Sequence, residues 1–107
     1  MRAFDAHAAA LEAVQANPAR PATATVFDAP GLRLVVCRLE PGQAVASHTS
    51  EATVLLTVLS GRGAISIGEQ SIEAGAGHVV AIAPGEPHGM LATADRFCLL
   101  ATILRRP

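Results

Sequence analysis

The sequence predicts an all-β protein, an antiparallel sandwich or barrel preceded by one short helix. After residue 20, the chain consists of short runs of β-branched and aliphatic residues, separated at short intervals by Gly or Pro turns. No segment after residue 20 has helical periodicity, and the one helical run lies near the start of the chain. The 107 residues are about one domain's worth and contain no internal repeat or linker, so we predict a single domain.

Residues 5–16, DAHAAALEAVQA, are predicted to form the helix. Asp5 is a favourable N-cap, alanine is the strongest helix former, and the Asn-Pro pair at 17–18 would end the helix. Leu11 and Val14 lie at helical spacing and mark its apolar positions. We therefore expect a helix packed on the outside of the barrel. A lid, or an arm exchanged within a dimer, is the alternative.

The barrel is predicted over about residues 22–104. Its clearest element is a hairpin in AISIGEQSIE. There Gly68-Glu69 suits a two-residue type II′ turn, because glycine occupies the first central position. This turn sets a register that pairs Ile67 with Gln70 and Ile65 with Ile72, with the three isoleucines on one face.

Composition limits both the core and the partners. Half of the residues are apolar, there is no Trp or Tyr and there are only three Phe, so the core must be aliphatic. The formal net charge is −1, and the eight arginines are spread along the chain. Nucleic-acid binding needs clustered positive charge and stacking aromatics, and is therefore not expected. The high apolar fraction of so short a chain predicts a buried oligomer face, and we expect a homodimer.

Neither a membrane segment nor a secretory leader is expected. No apolar run reaches the roughly 18 residues that a membrane-spanning helix needs. Asp5 and Glu12 interrupt the region where a leader would be apolar. Cys37 and Cys98 lie in separate strand-like runs without metal-type spacing, and we expect two buried thiols, with a disulfide between them as the alternative. These observations predict a cytoplasmic protein with no membrane partner.

Two turns of the barrel region are built alike: Pro41-Gly42 precedes His48, and Pro84-Gly85 precedes His88. These stretches resemble the motifs of the cupins, small antiparallel barrels of the jelly-roll type. The first cupin motif is Gly, five residues, His, any residue, His, three or four residues, Glu, six residues and Gly. The second is Gly, five residues, Pro, any residue, Gly, two residues, His, three residues and Asn. The residues that fit are Gly42, His48 and Gly61 in the first motif, and Gly77, Gly85 and His88 in the second. The resemblance covers about residues 22–104 and implies an RmlC-like jelly-roll barrel.

The chain also departs from these motifs. It has Ser50, Val54, Ala83 and Ala92 where the motifs have the second His, the Glu, the Pro and the Asn. In metal-binding cupins three His and the Glu form the metal site, and only His48 and His88 remain here.

The resemblance implies that His48 and His88 meet and could hold one divalent transition metal. Zn, Ni, Fe, Mn and Cu all stay open, because imidazole suits each of them. Two imidazoles alone make a weak site, since most stable sites have three or four protein ligands. Glu51 is the candidate third ligand, provided that the turn lets its carboxylate point inward. The alternative is two pocket histidines without a metal, hydrogen-bonded to each other or to water.

The lining predicted beside the histidines is mostly apolar, and consists of Ser50, Val54, Met90 and Ala92. It suits a small apolar or aromatic molecule better than a sugar phosphate. We therefore favour a cupin that binds a small molecule at a reduced two-histidine site. A metal-dependent cupin enzyme of dioxygenase or isomerase type is one alternative, and a structural cupin without an active site is another. The sequence assigns no catalytic residue and does not identify the ligand.

Overall fold

The computed structural model describes residues 1–106, and within them the chain forms one helix followed by nine strands. The elements are α1 (Ala6–Glu12), β1 (Ala22–Ala29), β2 (Leu32–Leu39), β3 (Ala44–His48), β4 (Thr53–Ser60), β5 (Arg62–Ile67), β6 (Gln70–Gly75), β7 (Val79–Ile82), β8 (His88–Ala92) and β9 (Phe97–Leu104). No helix in this part of the chain is long and apolar enough to cross a membrane.

The strands form two antiparallel sheets. The first has the order β1-β2-β9-β4-β7, and the second has the order β3-β8-β5-β6. The predicted all-β antiparallel fold with a short N-terminal helix is confirmed. The predicted hairpin is also confirmed, because Ile65 pairs with Ile72 and Gly68 has a φ of 60°. No non-glycine residue among those described has a positive φ, so Glu69 fits a type II′ turn and not a type I′ turn.

Aliphatic side chains fill the space between the two sheets. Leu39 and Leu99 from the five-stranded sheet and Ile65 and Ala74 from the four-stranded sheet belong to one buried cluster. Phe97 also belongs to it and is fully buried. Each such large side chain contributes about 1.5–3 kcal/mol on burial, so the middle of the barrel is a packed core that holds the sheets together.

The helix is shorter than predicted: it ends at Glu12 and not at residue 16. Ala13 already has a ψ of 132°, so the chain leaves the helix there. The reason is a tertiary contact from β2. The Arg38 guanidinium Nη1 lies 2.7, 2.8 and 3.0 Å from the main-chain carbonyl oxygens of Ala10, Leu11 and Ala13. A cation that satisfies these terminal carbonyls favours ending the helix at this turn.

The helix packs on the outer face of the five-stranded sheet, as predicted. The contact uses small side chains, which let the helix approach the strands closely. Leu11 and Val14 are not part of it, since they are 44% and 83% exposed, so the predicted apolar positions of the helix are wrong. The residues that meet at this contact are Ala6, Ala9, Ala10, Val36 and Cys98. The homodimer stays a prediction.

Both cysteines are buried free thiols, as predicted. They lie on opposite faces of the same sheet. Cys37 belongs to the core between the sheets, whereas Cys98 lies under the helix. Burial raises the pKa of the Cys37 thiol to about 11, and the neighbouring Cys98 thiol adds to the rise. Cys37 therefore stays protonated at neutral pH and acts as a small apolar core residue.

We expect the stability of the protein to fall as the pH rises from about 9 to about 11. The ordinary pKa of the thiol is 9.0, and the folded pKa of Cys37 is about 11. The folded state thus keeps a proton that the unfolded chain loses, so this contribution is complete below pH 9.0 and is lost as the pH rises through the folded pKa. The chain has no Lys and no Tyr whose titration would overlap with that of Cys37 in this window.

Urea unfolding at several alkaline pH values measures this effect, with Cys37→Ala as the control. The variant is less stable at neutral pH, but its stability should depend less on pH between 9 and 11. Equal pH dependence in the wild type and the variant would contradict the assignment to Cys37.

Candidate functional site

The two motif histidines lie side by side on neighbouring strands. His48 on β3 is the direct antiparallel partner of His88 on β8. Their ring centroids are 4.4 Å apart, and the ring planes are tilted by 54°. The structure therefore brings together the two residues that the sequence selected as a pair.

A β-bulge makes this pairing possible. Val45 pairs with Met90, but His48 pairs with His88, so three steps along β3 match two steps along β8. Without the extra residue, His48 would face away from His88, because side chains alternate between the two faces of a strand. The irregular segment between Val45 and His48 turns the imidazole to the face that carries His88.

Gly89 accommodates the bulge, a role that the sequence analysis missed. A Cβ atom at this position would lie 2.8 Å from the Val45 carbonyl oxygen and 3.1 Å from the Ser47 backbone nitrogen. It would also lie 3.2 Å from the Ser66 hydroxyl oxygen. The available signal was a glycine inside an otherwise regular strand, which is typical of a bulge or of a close backbone approach.

Both imidazoles are held through the same nitrogen. The Nδ1 atom of His48 is 3.1 Å from the Ala46 carbonyl oxygen, and the Nδ1 atom of His88 is 3.0 Å from the Glu86 carbonyl oxygen. A carbonyl oxygen only accepts hydrogen bonds, so each Nδ1 carries the proton and donates it. In the neutral rings, each Nε2 atom is therefore left with its lone pair as an acceptor or a ligand atom.

The two rings differ in exposure. His88 is only 4% exposed, whereas His48 is exposed to solvent. Partly buried apolar side chains continue the same surface: Met90 lies two residues from His88 on β8, and Ile67 on β5 is the direct partner of His88. The histidine pair thus lies at an open edge of the apolar barrel interior.

The other predicted lining residues lie in different places. Val54 and Ala92 belong to the buried core, at 5% and 0% exposure, and the Ala92 carbonyl accepts a hydrogen bond from the Gly42 N–H. Met90 packs against this core from a partly buried position. Ser50 lies in the connection between β3 and β4 and lines surface clefts.

Glu51 does not join the histidine pair in a potential metal site. Among residues 1–106, no three His, Cys, Asp or Glu side chains come together in a group that could hold a metal ion. Glu51 is exposed and lines two clefts together with Arg106. The donor set in this part of the chain is therefore two imidazoles, which does not fit a resident metal held by three or four protein ligands.

Comparison with known proteins places this geometry in a family. A family model, Cupin_2, described as a cupin domain, matches residues 35–103, which is more than half of the chain and includes both histidines. No curated protein matches the chain.

Solved structures share the fold over the whole chain. The crystal structure of TT1209 from Thermus thermophilus is 26% identical, covers 100% of both chains and has a TM-score of 0.86. An uncharacterized conserved protein with a double-stranded β-helix domain from Klebsiella pneumoniae is 24% identical. The structural match covers 97% of this chain and 90% of the Klebsiella chain, with a TM-score of 0.84.

An RmlC-like cupin protein from Desulfovibrio desulfuricans is 29% identical. The match covers 88% of this chain and 91% of the Desulfovibrio chain, with a TM-score of 0.76. Other matching structures include proteins named as enzymes and proteins of unknown function. The matched motif region, the two antiparallel sheets and the paired histidines agree with one another, and the chain belongs to the cupin family.

Proposed function

We propose that this protein binds a small, mostly apolar molecule at the open edge of its barrel, and that one Nε2 atom of the pair formed by His48 and His88 accepts a hydrogen bond from that molecule. One observation supports the proposal most directly. The two imidazoles are adjacent, with ring centroids 4.4 Å apart, and each uses Nδ1 to bind a backbone carbonyl. Both Nε2 atoms are then acceptors, so the matching ligand group is a donor such as a hydroxyl. Met90 and Ile67 supply the apolar surface beside the rings.

A metal-dependent enzyme is less well supported. The two Nε2 atoms are suitable ligand atoms, but no third His, Cys, Asp or Glu joins them among residues 1–106. After dialysis against metal-free buffer, we expect elemental analysis to find well below one metal ion per chain. A stoichiometric metal that is lost in the His48→Ala/His88→Ala variant would favour the metal-dependent enzyme over the present proposal.

Binding of phenol and anisole tests the proposal directly. The two molecules have a similar ring, but only phenol can donate a hydrogen bond. We expect phenol to bind more tightly than anisole by about fivefold, which corresponds to about 1 kcal/mol for one hydrogen bond. Ligand-induced changes in melting temperature, followed as a function of concentration, measure both affinities.

The double variant His48→Ala/His88→Ala should lose the preference for phenol. The variant His78→Ala is the matched control, because His78 is exposed and its Nδ1 contacts the backbone of Gly75 away from the pair. It should keep the preference. The proposal is wrong if neither molecule binds, or if the double variant keeps the wild-type preference.

A further inference from the structure

Two clefts flank the connection between β3 and β4, which spans residues 49–52. One has a volume of about 440 Å³ and the other of about 480 Å³, within the size range of small-molecule sites. Both are lined by Ser50, Glu51 and Arg106. We call this shared region the rim site, defined by Ser50, Glu51 and Arg106.

The rim site carries two opposite charges that have no ion-pair partner within the part of the chain that the structure describes. Among residues 1–106, neither Glu51 nor Arg106 takes part in an ion pair. Arg105 also lines the first cleft, but its charge is offset, because its Nη2 is 2.7 Å from the Asp28 carboxylate. The rim site therefore offers one carboxylate and one guanidinium that are available to a ligand.

The backbone around Glu51 is held in place. The Ser50 carbonyl accepts a hydrogen bond of 2.8 Å from the Gly85 N–H, and the Ser50 hydroxyl accepts one of 3.1 Å from the Ala52 N–H. The first contact ties the connection to the turn before β8, and the second holds the connection itself, so both limit the positions that the Glu51 carboxylate can reach. Ile103 and Ala52 also line the first cleft and add apolar surface to it.

We propose that the rim site binds a small zwitterion, a molecule with a carboxylate and an ammonium group joined by a short aliphatic chain. Arg106 binds the carboxylate and Glu51 binds the ammonium group. A simple anion is repelled by Glu51 and a simple cation is repelled by Arg106, so neither gains from both residues. This is a second ligand site on the protein, and it does not depend on the Nε2 atoms of the histidine pair.

Three probes with the same four-carbon chain test the proposal: 4-aminobutanoate, butanoate and butylammonium. Amide chemical-shift changes in residues 50–52 and 103–106, followed by NMR titration at low ionic strength, report binding at the rim. We expect 4-aminobutanoate to bind about threefold more tightly than either singly charged probe, which corresponds to about 0.6 kcal/mol from the second charge contact at an exposed site.

Substitutions assign the two contacts. Glu51→Gln should remove the preference for 4-aminobutanoate over butanoate, and Arg106→Gln should remove its preference over butylammonium. The control Arg33→Gln removes an exposed arginine that binds Thr25 on the first hairpin, and it should change nothing at the rim. All of these residues are exposed, so the variants are expected to fold.

Two outcomes would overturn the proposal: equal binding of the three probes, or a preference that survives both substitutions. The His48→Ala/His88→Ala variant separates this site from the proposed function. It should lose the preference for phenol but keep 4-aminobutanoate binding, so each proposal can fail without the other.

Discussion

Replacing Arg38 with methionine is expected to lower the free energy of unfolding by about 2–3 kcal/mol, because hydrogen bonds that involve a charged group contribute about 1.5–3 kcal/mol. The Arg38 side chain is only 11% exposed, and its Nε atom is 3.0 Å from the Glu40 carboxylate. Its Nη1 lies within hydrogen-bond distance of the last carbonyls of α1. Methionine keeps most of the apolar stem but supplies no donor, so these acceptors lose their partner.

Glu40 makes the loss of Arg38 more costly. Its hydrogen bond to Arg96 holds the pKa of the Glu40 carboxyl below its ordinary value. Burial opposes this effect, and Arg38 adds a further lowering contribution. Glu40 is therefore charged at neutral pH, and in the variant its carboxylate keeps only the contact with the exposed Arg96. The helix, whose end Arg38 binds, should separate from the sheet more often.

Arg62→Met is the matched control for this prediction. Arg62 also pairs with a glutamate, Glu73, but their side chains are 56% and 68% exposed. An exposed pair of this kind contributes roughly 0–1 kcal/mol. Urea unfolding of both variants measures the difference, and amide hydrogen exchange in residues 6–13 should speed up only in Arg38→Met. Similar losses of stability in the two variants would show that Arg38 is an ordinary surface charge.

The helix shows where reasoning from local sequence reaches its limit. Alanine propensity and the Asn-Pro pair both favoured a helix up to residue 16, and they describe the chain correctly only as far as Glu12. The residue that ends the helix is Arg38, which is 25 residues or more away in sequence from the carbonyls it binds. A contact between β2 and α1 overrides local propensity, and no window of the helical sequence contains it.

The site was only partly predictable, for a similar reason. Motif spacing identified His48 and His88, and the structure pairs them directly. Strand alternation alone would have placed the two side chains on opposite faces. The bulge brings them to one face, and it depends on the close approach of β3 to Gly89, which strand periodicity does not predict. The position of Glu51 depends on the backbone contact between Ser50 and Gly85, which joins two segments far apart in the sequence.

Gly89→Ala is expected to disrupt the histidine pair and to lower the free energy of unfolding by about 2–3 kcal/mol, the usual cost of overpacking a tight contact. The new Cβ atom would be 2.8 Å from the Val45 carbonyl oxygen, and a backbone atom cannot swing aside as a flexible side chain can. β3 must therefore move away from β8 or change its bulge. Either change separates His48 from His88, so the preference for phenol should fall as well.

Two further variants isolate the cause. Ser66→Ala/Gly89→Ala removes the side-chain atom nearest to the new methyl group, but it should not restore stability, because the contacts with Val45 and Ser47 remain. Gly68→Ala places a Cβ atom where nothing lies within 4 Å, although its φ of 60° strains any other residue. It should cost about 1–2 kcal/mol and leave the distance between the histidine rings unchanged. NMR contacts between the two rings distinguish these cases. If the contacts persist in Gly89→Ala, the bulge does not need a glycine at this position. Its irregular register must then be held by β3 alone.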